Sequence, residues 1–181
     1  MSTVKTIKEN GRDITVVRLD DTQFIYNTNF QGDPGRDRFK GTGRYANIII
    51  PDEDTAEDLI KFGCNVKHND AYYNDDGDLI YPENYYIRVN LNMDPPMPIK
   101  PPTIRLIIDG KRPIMLNSET LAELDMYADS NMVTNVNCYC SIREGDVHTL
   151  YVKSLAVEVE KPYDPYEDIY QTPGEDEEMP F

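Results

Sequence analysis

The stretch MVTNVNCYCSIREGDVHTLYVKSLAVEVE, residues 132–160, decides the fold. It divides into two runs, about 132–143 and 147–160, around the turn Glu144-Gly145-Asp146. In the first run Met132, Thr134, Val136, Cys138, Cys140 and Ile142 share one face, and Asn135, Asn137, Tyr139, Ser141 and Arg143 share the other. Successive side chains of a strand point to opposite faces, so this alternation predicts a hairpin with one apolar and one polar side. The second run changes phase near Ser154. One extra residue in a strand has that effect, and a β-bulge is expected there.

Working outward, YYIRVNLN alternates in the same way. Tyr85, Ile87, Val89 and Leu91 lie on one face, opposite Tyr86, Arg88, Asn90 and Asn92. Residues 44–50 place Ala46, Ile48 and Ile50 against Tyr45 and Asn47, and Pro51 ends the run. Two hairpins are signalled by their turns: residues 4–8 and 13–19 flank Asn10-Gly11, and TIRLII and RPIML flank Asp109-Gly110. Both pairs suit two positive-φ positions in succession. A further strand is expected at 23–26, whereas 69–84 reads as a long exposed loop. In DEDTAEDLIKFG, residues 52–63, Asp54 and Glu57 have capping-box spacing and Gly63 suits the C′ position, which predicts a short helix burying Leu59, Ile60 and Phe62. A second helix is expected from Asn117 or Ser118 to about Ala128, with Leu121, Leu124 and Met126 partly buried. Between the strands, Pro95, Pro96, Pro98, Pro101 and Pro102 stiffen one connector. Many short antiparallel strands with two brief helices predict a mainly β protein, an OB-fold-like closed or nearly closed β-barrel.

The chain of 181 residues suits one domain, residues 1–161, and a tail, residues 162–181. Its mean hydropathy of -0.60 and its short aliphatic runs predict no membrane span. The N-terminal stretch lacks the apolar core of a secretory signal, and three cysteines do not make a disulfide framework. Both features point to the cytoplasm.

The tail reads PYDPYEDIYQTPGEDEEMPF. It has too few apolar side chains to offset the entropy of ordering, so it is expected to be a disordered acidic segment. Its last residues combine acids with a hydrophobic tip. That pattern suits a docking peptide in which Asp176, Glu177 and Glu178 steer, Met179 and Pro180 shape the approach, and Phe181 fills a pocket. The formal charge is -15. Seven of the acids lie beyond residue 161, where there is no Lys or Arg, so the body still carries -8. Phosphate binding by such a body needs local clusters of cations, because net charge sets only the long-range field.

Such clusters exist. The glycine-rich loop 27–43 and the residues just after it carry Arg36, Arg38, Lys40 and Arg44 with Phe39 and Tyr45. Tyr86 with Arg88, and Tyr139 with Arg143, repeat the pairing on strand faces. Aromatic rings interleaved with cations are what single-stranded nucleic acid requires: bases stack at about 1–3 kcal/mol each, and Lys or Arg meets the phosphates between them. Any one pair on a strand is more simply read as cross-strand packing. The set together designates Arg36, Arg38, Phe39, Lys40, Arg44, Tyr45, Tyr86, Arg88, Tyr139 and Arg143 as candidate DNA-binding residues. No cofactor is expected. Cys64, His68, Cys138 and Cys140 could in arithmetic make four zinc ligands, but their spacing matches no common zinc pattern, and buried thiols are the simpler reading. His148, beside a turn, is expected to be solvated. The acids DDGD at 75–78 lack the rest of a calcium loop. Phosphate-loop, nucleophile-elbow and zinc-protease motifs are missing, and the chain is read as a non-enzyme.

The blocks NFQG (29–32), RFKGTGRYANIIIPDEDTAEDLIKFGCNVK (38–67), YYIRVNL (85–91), PPTIRLI (101–107), LNSETLAELD (116–125) and YVKSLAVEVE (151–160) occur in an order that resembles bacteriophage and prophage single-stranded DNA-binding proteins. The likeness covers about 24–160. It implies an OB-fold that coats single-stranded DNA during phage replication or recombination. Separately, GEDEEMPF is similar to the acidic tip of bacterial single-stranded DNA-binding proteins, with Met179 at a position that is more often isoleucine. That likeness implies recruitment of replication or recombination proteins. Trp, on which bacterial members often stack bases, is absent. The rival expectation is an acidic phage protein that mimics DNA and binds a host protein instead. RNA binding and homo-oligomerisation are left open.

Overall fold

In the computed structural model, residues 3–9, 11–26, 28–32, 43–95, 97–127, 131–142 and 148–160 are described. The basic loop residues Arg36, Arg38, Phe39 and Lys40, Arg143, and the whole tail with its tip lie outside them. The chain is mainly β, as its alternation predicts. In order come β1 (Thr3–Glu9), β2 (Arg12–Thr22), β3 (Tyr45–Ile50), helix α1 (Glu53–Phe62), β4 (Lys67–Asn69), β5 (Tyr72–Tyr73) and β6 (Leu79–Tyr81). After these follow β7 (Asn84–Asn90), β8 (Thr103–Ile108), β9 (Ile114–Leu116), a 3-10 helix (Leu121–Tyr127), β10 (Asn131–Ile142) and β11 (His148–Glu160).

One sheet runs in the order β1-β2-β10-β11-β7-β3, with β4 on β7, β8 on β11 and β9 on β8. Both predicted hairpins form, although Asn10 of the first turn lies outside the described residues. β1 and β2 pair from Glu9 opposite Arg12, and Asp109 (φ 51) and Gly110 (φ 71) are both left-handed between β8 and β9. Two expectations are corrected. The sheet is not wholly antiparallel, because β11 runs parallel to both β7 and β8; long connections separate them from β11 and let it enter from the same end. Nor do the ladders form a closed barrel among the described residues. The expected strand at 23–26 is instead an irregular extension of β2, joined to β3 by the bridges Phe24↔Ile48 and Asn29↔Tyr45. Left-handed Asp21 (φ 52) and Tyr26 (φ 57) bend the chain there and interrupt a regular ladder. Asn135 supports the bend by accepting a hydrogen bond from Asp21 N at 2.9 Å.

The bulge expected near Ser154 is present. Asn137 lies opposite Ser154 and Cys138 opposite Val152, so Lys153 is the extra residue. Before it Leu150 and Val152 point into the core; after it Leu155, Val157 and Val159 do. The strand also changes neighbour at this point, from β7 at Leu150 and Tyr151 to β8 at Ser154–Val159. The inward side chains of β2, β3, β7, β8, β10 and β11 meet in one apolar cluster, closed at its ends by Leu59 of α1 and by Leu121 and Leu124 of the 3-10 helix.

The helices differ in detail from their sequence signals. Asp52, rather than Asp54, caps α1, accepting from Thr55 N at 2.7 Å, while Gly63 (φ 94) ends it as expected. The helix buries Thr55, Ala56 and Leu59, but Ile60 is 51% exposed. The second helix is a 3-10 turn rather than an α-helix. Asn117 Oδ1 accepts from both Glu119 N and Thr120 N and so tightens its start. The expected loop 69–84 holds a small hairpin, β5 with β6, set apart from the main sheet.

Candidate nucleic-acid interface

The polar faces of the strands align because the ladders put them in register. On β7, Ile87 and Val89 are buried, which turns Tyr86, Arg88 and Asn90 to the other side. Across β3 these three oppose Ile49, Asn47 and Tyr45. Arg88 leans diagonally over the Tyr45 ring, its Cζ 3.9 Å from the centroid. Tyr45 is therefore only 4% exposed. The sequence expectation that Tyr45 stacks a base is corrected: in this arrangement it is the floor under a guanidinium, held by cation–π attraction, and Arg88 presents the outer surface.

The same face continues from both ends of β7, whose edge away from β3 carries β4 at residues 84–86 and β11 at Val89 and Asn90. Toward β4, Lys67 opposes Tyr86 and its Nζ stands 5.8 Å from that ring, and Tyr26 meets Tyr86 edge-on at 5.1 Å. Toward β11, the parallel pairing sets Tyr151 beside Asn90, and Tyr151 in turn opposes Tyr139 of β10. The Tyr139 and Tyr151 rings stack, 5.6 Å apart and inclined by 19°. Beyond them Tyr139 pairs with Val16, and Asn137 pairs with Arg18 of β2. Arg18 Nε donates to Asp20 Oδ1 at 2.9 Å, and Asn137 Nδ2 donates to Ser154 Oγ at 3.0 Å. Lys67, Tyr86, Arg88, Asn90, Tyr151, Tyr139 and Arg18 thus make one strip across β4, β7, β11, β10 and β2. From β7 to β2 it crosses three strand spacings, roughly 14 Å. Burial, and then the neighbouring Tyr151 hydroxyl, raise the Tyr139 pKa above the ordinary tyrosine value, so this ring stays neutral beside anions at neutral pH.

Arg44 lies apart from the strip. It has the inward parity of Ala46 and Ile48, is half-buried, and donates from Nη1 to the Ser118 carbonyl at 2.8 Å. The ends of the glycine-rich loop are nevertheless rooted close by. Asn29 exchanges backbone hydrogen bonds with Tyr45, and its Nδ2 donates to Gly43 O at 3.0 Å. Of the sequence candidates, Tyr86, Arg88 and Tyr139 share the strip. Tyr26, Lys67, Asn90, Tyr151 and Arg18 join it without having been singled out. Tyr151 was legible in principle, since a hairpin centred on Gly145 sets residue 151 against residue 139; Lys67 and Arg18 depend on pairings that no local pattern encodes.

The cysteines and histidines do different things. Cys138 is fully buried, and Cys64 lies beside Cys140 in the same cluster. Burial pushes the Cys64 thiol up to about 12, with Cys140 adding to the effect. His68 pairs instead with Glu83 (2.6 Å) and Asp70 (3.5 Å) and packs on Tyr85. Among the described residues no group of three or more His, Cys, Asp or Glu could hold a metal ion. His148 is not solvated as expected: it is half-buried against Phe62, with ring centroids 4.6 Å apart, because Cys64 forms a bridge to it and draws the end of α1 over β11. No helix among the described residues is long and apolar enough to cross a membrane. Comparison with protein-family models, curated proteins and solved structures finds no match to this chain.

Proposed function

We propose that this chain is a non-catalytic protein that binds single-stranded DNA with little sequence preference. The observation that carries the reading is the strip itself, in which tyrosine rings, amides and cations alternate over one sheet face. Tyr86 and the stacked Tyr139 and Tyr151 offer platforms for bases, and Lys67, Arg88 and Arg18 lie within reach of phosphates. Asn90 can donate to base edges or sugars without choosing one base. The basic residues Arg36, Arg38, Lys40 and Arg143, with Phe39, belong to this reading as well, as further contacts to phosphates and bases.

An OB-type architecture, nearly closed rather than a closed barrel, is what we assign to the body. Its support is the succession of pairings from β2 to β10, β11, β7 and β3, with Phe24 and Asn29 bridged to β3. We assign the acidic tail to recruitment of replication or recombination proteins, with Asp176, Glu177, Glu178, Met179, Pro180 and Phe181 as its docking tip, in a phage-type replication setting within a cytoplasm. The rival reading, an acidic DNA mimic, draws on the body charge of -8. One titration separates them. Long oligo-dT should bind the full chain tightly at low salt and weakly at high salt, because neutralised phosphates release counterions. An absence of binding at low salt would overturn the DNA reading and favour the mimic.

A further inference from the structure

The β5–β6 hairpin carries the largest concentration of exposed apolar surface among the described residues. Tyr72, Tyr73, Leu79, Ile80 and Tyr81 are each between 45% and 66% exposed. This is not a slack loop. Asn74 Oδ1 accepts from Asp76 N and Asp78 N, Asn74 N donates to Asp78 O at 2.9 Å, and Tyr72 packs on Tyr81 across the ladder. An ordered hairpin that keeps so many rings and aliphatic side chains in water marks a contact surface. Its charge is of one sign. From residue 69 to residue 83 there are five acids, Asp70, Asp75, Asp76, Asp78 and Glu83, and no Lys or Arg.

The complementary surface is on the same molecule. β9 is an outer strand, paired among the described residues with β8 alone, and Ile114 and Met115 on it are 47% and 57% exposed. The segment around it, residues 99–115, carries Lys100, Arg105, Lys111 and Arg112 against the single acid Asp109. All four cations are exposed, and Arg105 sits directly opposite Met115 across the β8–β9 ladder. Pro113, just before β9, removes a backbone donor at the edge, so this surface suits docking by side chains better than addition of a strand.

We propose that the β5–β6 hairpin of one copy docks on the β8–β9 surface of a second copy, rings against Ile114 and Met115 and acids against Lys111 and Arg112. The two patches are different and lie on one chain, so the contact is head-to-tail; unless the rotation closes a ring, it continues into an open row of molecules. Acid facing base across the contact also selects this pairing over hairpin-to-hairpin contact, where like charges would meet. The inference does not rest on the DNA reading, and its test uses no nucleic acid.

The test is sedimentation velocity of the full chain up to about 100 µM in low salt, a range that captures weak protein contacts. Concentration-dependent association is expected, a closed pair if two copies dock reciprocally and longer species if they do not, shrinking as salt screens the acids from the bases. Asp75→Lys/Asp76→Lys/Asp78→Lys takes residues 69–83 from a formal charge of -5 to +1, so that both patches are basic, and Lys111→Glu/Arg112→Glu takes residues 99–115 from +3 to -1, so that both are acidic. Each variant alone should lose association by about tenfold or more. An equimolar mixture should regain it, because every hairpin then finds a patch of opposite sign, and such rescue also shows that both variants fold. The milder Asp75→Asn/Asp76→Asn should give an intermediate loss. A wild-type chain that stays monomeric throughout, association unchanged by both swaps, or a mixture that fails to recover would each overturn the proposal.

Discussion

Two regions of this molecule are rich in tyrosine, and they differ in what surrounds the rings. On the sheet face Tyr86, Tyr139 and Tyr151 alternate with Lys67, Arg88, Asn90 and Arg18, and long strands fix their spacing. On the β5–β6 hairpin Tyr72, Tyr73 and Tyr81 stand among acids, on strands of two and three residues. Rings of the same chemistry are thus offered to different partners, and the neighbouring charge decides which. A base stack needs cations to hold the phosphates beside it. An aromatic patch ringed by acids repels a nucleic acid strand and attracts a basic protein surface.

Removing rings from each region separates them most sharply. Tyr139→Ala/Tyr151→Ala should lower oligo-dT affinity by about 100-fold, given about 1–3 kcal/mol for each stacked base, whereas Tyr72→Ala/Tyr81→Ala should leave it within about twofold. Fluorescence anisotropy at fixed salt measures both. Equal losses would erase the distinction between the regions. A smaller effect is expected from the charges. Lys67→Gln and Arg88→Gln should each reduce the slope of log affinity against log salt by about 0.7, the single-strand value per phosphate contact. An unchanged slope would mean that these cations support the rings without meeting phosphate.

The least effect concerns the layer under the sheet face. Cys138 and Cys140 lie on the opposite side of β10 from Tyr139, and Cys64 lies beside them. Burial raises all three thiols, Cys64 to about 12, while an unfolded cysteine ionises near about 8.5. A raised folded-state pKa leaves stability intact below the unfolded value and lets it fall as pH climbs through the folded one. The free energy of urea unfolding should therefore be level up to about pH 8 and decline between about 8.5 and 12, and Cys64→Ala should soften that decline. A decline that began well below pH 8 would point to groups other than the thiols.

Much of this could be read from local pattern. Period-two alternation fixed the inward and outward faces of β7 and β10, the phase change at Ser154 located the bulge, and Asp109-Gly110 marked its turn. What escaped depends on partners distant in sequence. The parallel approach of β11 to β7 sets Tyr151 beside Asn90, and nothing near either residue encodes it. The diagonal that lays Arg88 on Tyr45 exists only once β3 and β7 are in register, so a ring that looked available is covered. Helix ends failed for a different reason. Asp52 and Asp54 are both competent caps, and the tertiary direction of the chain leaving β3 chose between them.

The extra residue Lys153 has a consequence for how this chain tolerates change. β11 is read in two frames, even-numbered side chains inward before the bulge and odd-numbered ones after it, each frame serving a different neighbour. Deleting one residue downstream of the bulge would turn Val157 and Val159 to solvent, whereas deleting Lys153 itself would merge the frames into an unbroken alternation. The insertion is thus the joint that lets a single strand belong to two neighbourhoods at once, and a lineage that lost it would have to rebuild the sheet around a straighter β11.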